Sequence, residues 1–97
     1  MGSGNQVQSG VQYLNERIEY RLLAKVAELI EDSQTPAATK TLAELVNKHP
    51  QESLARVVPL TRQAVTPEST DAQLDAAIFS DENVAMLTSF FGAAAQP

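Results

Sequence analysis

Along the chain, Val11, Leu14, Ile18, Leu22, Val26 and Leu29 recur at three- and four-residue steps, the spacing that lines one stripe of an α-helix. A second apolar edge, Leu23, Ala27 and Ile30, runs beside it in the C-terminal half of the same segment. A helix apolar over so wide an arc is buried on two sides, in a bundle or across a dimer interface. The pattern predicts a helix over 11–31, led in by Ser9 and Gln12 at capping-box spacing.

Shorter periodic segments follow. Thr35-Pro36 reads as an N-cap with proline in the first turn, opening a helix over 36–48 whose inner face is Ala38, Leu42, Leu45 and Val46. Pro50 drives His49 out of the α region and closes that helix. Pro50 also suits the first turn of a third helix over 50–65, with Leu54, Val57 and Val58 inward and Leu60, Ala64 and Val65 beside them. Pro59 inside that pattern removes the bond to the Ala55 carbonyl, so a kink or break at Val58 is expected. Thr70 and Gln73 form a capping-box pattern for a short helix to about Phe79, with Leu74, Ala77 and Ile78 apolar. Ser80-Asp81-Glu82 places a cap and two acids at the start of a last helix over 81–91, with Gly92 positioned to end it. Nothing alternates with period two for long enough to form a strand. The class expected is all-α: one helical domain over 11–91 with about five helices, the first long and the other four shorter. It is flanked by an unstructured segment 1–10 and a flexible tail 92–97.

Ninety-seven residues, 43% of them hydrophobic, suffice for one modest core. With five aromatics and no Trp, that core is built from Leu, Val, Ile and Ala. Cys is absent, which removes disulfides, thiolate nucleophiles and zinc–thiolate sites and fits a cytoplasmic setting. No apolar run approaches a membrane span. The net charge of −5 is unevenly placed: all seven bases lie at or before Arg62, where seven acids balance them, and the remaining residues carry five acids and no base. A purely acidic C-terminal third points to a basic docking partner or to internal complementarity with the N-terminal part.

Candidate chemistry is sparse. His49 has Glu52 and Ser53 nearby in sequence, but neighbours at one helix start supply neither an oxyanion hole nor a pocket. Asp71 and Asp75 are a lone carboxylate pair, short of the ligands a calcium or magnesium site needs. No glycine-rich loop stands ready for phosphates. No catalytic residue, metal or cofactor is therefore expected, and the protein is not read as an enzyme. The pair of helices around His49-Pro50 has the outline of a helix-turn-helix, in which Lys48, Gln51, Arg56 and Arg62 would contact DNA. Against it stand the missing turn glycine, Glu52 on the reading face, the interrupting Pro59 and the acidic net charge.

Two constellations bear on protein partners. Arg17, Arg21 and Lys25 stack at i, i+4, i+8 on one side of the first helix, a column expected to meet the acidic C-terminal third within the chain or across a dimer. Val84, Met86, Leu87, Phe90 and Phe91 form an amphipathic surface that either closes the core or anchors in a partner's groove. The reading is a non-enzymatic protein-interaction module of the adaptor, assembly-chaperone, complex-subunit or stoichiometric-inhibitor kind, self-associating through its long first helix. The alternative is a dimeric helix-turn-helix regulator.

Overall fold

A computed structural model describes the backbone of residues 3–92 and the side chains from Gly10 onward. Among these residues the chain forms five helices and no strand: α1 (Ser3–Glu31), α2 (Ala37–Lys48), α3 (Pro50–Ala64), α4 (Asp71–Ile78) and α5 (Asp81–Phe90). The chain is an all-α bundle with one long helix and four shorter ones. At 1.5 Å per residue, α1 spans about 43 Å, and α2, α3 and α4 all pack along it while α5 docks on α3.

The core is the predicted stripe meeting the inner faces of the short helices. Leu14, Ile18, Leu22 and Val26 of α1 pack with Leu42, Ala43 and Val46 of α2, Val57 and Val58 of α3, Leu74 and Ile78 of α4, and Leu87 and Phe91 at the C-terminal end. Each fully buried aliphatic contributes about 1.5–3 kcal/mol of transfer free energy. Val11, at the head of the expected stripe, is instead exposed. So are Ala38 of the expected α2 face and Ala64 of α3.

Helix boundaries follow local chemistry, with four departures. Met1 and Gly2 of the expected unstructured segment lie outside the described residues, but the backbone from Ser3 onward belongs to α1 and passes Ser9 and Gly10 without starting there. Ahead of α2, Pro36 rather than Thr35 is the N-cap; its extended backbone (φ −55°, ψ 144°) lets its carbonyl accept the Lys40 N–H, and no side chain caps the helix. α3 runs through Pro59 without a break, because Val57, Val58 and Thr61 are buried on both sides of the proline and hold the helix together. Phe91, not Gly92, is the C-cap of α5, its N–H donating to the Leu87 carbonyl, and no glycine among the described residues takes a positive φ. Residues 93–97 of the expected tail lie outside the described part.

The other caps form as their sequences predict. Thr70 Oγ1 accepts from the Gln73 N–H at 3.2 Å while Gln73 Oε1 accepts from the Thr70 N–H at 2.8 Å, a complete capping box on α4. Ser80 Oγ accepts from the Asn83 N–H at the start of α5. Between α2 and α3 a single residue turns the chain: His49 (φ −127°, ψ 60°) donates its N–H to the end of α2, and its carbonyl accepts the Ser53 N–H of α3.

Candidate functional site: the outer face of α1

The basic column of α1 is largely consumed inside the chain. Arg21 makes a two-pronged pair with Asp75 at 2.8 and 2.6 Å. Arg17 donates to Asp71 at 2.7 Å and also to the carbonyls of Pro67 and Ser69 at 3.1 and 2.7 Å. The two arginines thus clamp the α3–α4 loop and α4 onto α1. The hydrogen bond to Asp75 raises the Arg21 guanidinium above its ordinary value, with the carboxylate charge adding to it and partial desolvation opposing, so it stays charged. Lys25 lies 3.8 Å from Glu28 on its own helix. Of the two arrangements expected for the column, the structure shows the one within the chain for Arg17 and Arg21: the acidic third they meet is their own.

The C-terminal set divides as well. Leu87 and Phe91 are buried and Val84 and Met86 pack against the core, so most of the expected anchor is the lid of the bundle. Only Phe90 is exposed, and Arg56 lies over its ring at 3.6 Å. A cavity of about 290 Å³ opens between α2 and α5, lined by Leu42, Leu45, Val84, Phe91 and threonines including Thr39 and Thr88.

All four DNA-contact candidates, Lys48, Gln51, Arg56 and Arg62, are exposed. Arg56 is stacked on Phe90, and Arg62 donates to Asn15 of α1 at 2.9 Å. The triad outline around His49 also stays unassembled: its ring packs on Phe91 (centroids 5.6 Å apart) with Nδ1 3.8 Å from Glu52, while Ser53 Oγ is buried without a partner. The carboxylates of Asp71 and Asp75 are taken up by the two arginines.

What remains open lies on α1. Counting 100° per residue from buried Ile18, Ala27 points directly away from the core, with Tyr13, Glu16, Tyr20, Leu23 and Glu31 within about 40° of it. Tyr20 is 70% exposed, Tyr13 54% and Leu23 40%; Ala24 and Ile30 border the strip half-buried. Of the five exposed large hydrophobic side chains among the described residues, four are on α1 and the fifth is Phe90, already covered on one face by Arg56. The periodicity contained half of this face, the Leu23–Ala27–Ile30 edge. It missed Tyr13 and Tyr20, whose seven-residue spacing toward Ala27 was the available signal.

No helix among the described residues is long and apolar enough to cross a membrane. No protein-family model, characterised protein or solved structure matches the chain.

Proposed function

We propose that the chain is a non-enzymatic protein-interaction module that works as a homo-oligomer built through the outer face of α1. The observation that carries this reading is that the face of α1 turned away from the bundle leaves Tyr13, Tyr20 and Leu23 exposed between Glu16 and Glu31. Tyr13, Tyr20 and Leu23 hold their rings and methyls in water, where a partner helix would gain about 25 cal/mol for each Å² of apolar surface it covers. The role is that of an adaptor, assembly chaperone, complex subunit or stoichiometric inhibitor. A Cys-free chain goes with a cytoplasmic setting.

Sedimentation equilibrium over a concentration series tests the reading. The wild-type chain is expected to shift toward dimer as concentration rises, and Tyr20→Glu and Leu23→Glu to stay monomeric. Because both positions are exposed, the variants should unfold within about 0.5 kcal/mol of wild type. A wild-type chain that remains monomeric up to millimolar concentration overturns the proposal.

A further inference from the structure

Resting on the reading of the outer face of α1 as an interface, we infer that this face also takes a basic amphipathic helix of another protein, in competition with a second copy. Two observations point to that chemistry. The first is the margin of the face. Glu16 and Glu31 lie beside Tyr13, Tyr20 and Leu23, Glu19 stands at the edge, and all three carboxylates are exposed. None of the three forms an ion pair among the described residues. The bases of the same helix are already engaged, Arg17 with Asp71, Arg21 with Asp75 and Lys25 near Glu28. The second observation is a cavity of about 350 Å³ where α1 meets α3, lined by Leu54, Ala55, Val58 and Pro59 together with Glu19 and Gln51. Apolar walls with one carboxylate fit a lysine or arginine side chain, whose stem covers the carbons while its charge reaches Glu19.

Charge then selects among occupants. From Tyr13 to Glu31 the face is about 27 Å long, which puts any interface on it in the small class below about 1,200 Å². Over so small an area the apolar gain is much the same for every amphipathic helix, and the occupants differ in charge. A second copy brings its own Glu16 and Glu31 to the contact. A helix with an aliphatic stripe flanked by lysine or arginine meets those carboxylates with the opposite charge and seats one base in the cavity beside Glu19. Nucleic acid and anionic lipid surfaces are repelled by the same carboxylates.

Fluorescence anisotropy tests this with two labelled peptides of about three heptads, both with leucine at the a and d positions, one with lysine and the other with glutamate at e and g. At about 150 mM salt, where the Debye length is about 8 Å, the lysine peptide is expected to bind about tenfold tighter than the glutamate peptide and to weaken as salt rises. Glu16→Lys and Glu19→Gln should each weaken the lysine peptide several-fold, and Tyr20→Ala should weaken both peptides. Glu82→Lys on α5 makes the same charge change as Glu16→Lys away from α1, and should move either affinity less than about twofold. All four positions are exposed, and circular dichroism checks that each variant keeps the fold. Equal affinity for the two peptides overturns the inference, and so does a loss in Glu82→Lys as large as in Glu16→Lys, which would mean attraction to net charge alone. Unchanged binding in Glu19→Gln or Tyr20→Ala overturns it as well. Sedimentation of the chain alone keeps the two readings apart. A dimer without the peptide preference leaves self-association standing and removes the basic partner. A monomer that shows the preference and the variant pattern removes the homo-oligomer and leaves the basic partner.

Discussion

An amide nitrogen that reaches three acceptors while its own oxygen finds none ties several elements together at one atom. Asn83 Nδ2 lies 3.0 Å from Thr61 Oγ1 and 2.8 and 3.1 Å from the carbonyls of Ala77 and Ile78, and its Oδ1 has no partner. The side chain serves the carbonyls at the end of α4, which have no helical donors of their own, and joins them to α3 and α5. Asn83→Leu keeps the volume and strands the Ile78 carbonyl and Thr61 Oγ1, while the Ala77 carbonyl keeps the Ser80 N–H, so urea unfolding should show a loss of about 1–3 kcal/mol. The arginine clamps are more modest. Arg21→Met should cost about 1–2 kcal/mol, since its pair with Asp75 is bidentate and about a fifth exposed. Asp71→Asn should cost less than about 0.5 kcal/mol, because Asp71 is mostly in water and Arg17 keeps its two carbonyls. Asp32 adds a pH dependence of known sign. The Gln34 N–H at 2.9 Å, aided by Thr35, holds its carboxyl below the ordinary value. Its contribution is therefore present above the unfolded-state pKa and disappears as pH falls through the lower folded-state value. An NMR titration of its side chain should show that lowered midpoint, and Asp32→Ala should flatten the acid limb of the stability curve.

Elements were legible wherever their signals are local. Capping at Thr70–Gln73 and Ser80 is written within four residues, and both caps form. Thr70→Ala should accordingly lower stability by about 1 kcal/mol. Pro59 shows where local reading fails. A proline in mid-helix lacks a donor, but whether the helix breaks depends on what its flanking turns gain from the core, and that is tertiary. Val57 and Val58 before it and Thr61 after it are buried, while Pro59 itself faces out. Pro59→Ala should restore the bond to the Ala55 carbonyl and raise stability by about 1–2 kcal/mol, the helix gain being partly offset by a freer unfolded chain. A loss in urea unfolding would show that the ring does more than fill space. Buried Ser53, Thr61 and Asn83 escaped the sequence because apolar periodicity assigns polar residues to the surface. The acidic third was legible as the counterpart of Arg17 and Arg21, but the choice of Asp71 and Asp75 was not, because about fifty residues separate each ion pair.

At the scale of the whole molecule, the internal pairing of bases and the exposed face of α1 are one design. Arg17 and Arg21 are neutralised by the acidic third, Arg56 and Arg62 are held by Phe90 and Asn15, and the chain still carries −5. The surplus is acid, and Glu16 and Glu31 lie on the outer face itself, with Glu19 exposed at its edge. Two copies meeting there bring like charges together around an apolar seam, so electrostatics opposes the contact that burial drives. Salt should separate the two effects. The Debye length falls from roughly 20 Å at about 20 mM to roughly 4 Å at about 500 mM ionic strength, which screens repulsion between copies. Sedimentation should therefore show association tightening several-fold over that range. The monomeric Leu23→Glu variant should move the other way and melt slightly lower in high salt, as its exposed Arg17–Asp71 pair weakens. An association that loosens with salt would mean that opposite charges pair across the contact, which no register of this face around Glu16 and Glu31 provides, and the interface would have to lie elsewhere on the bundle.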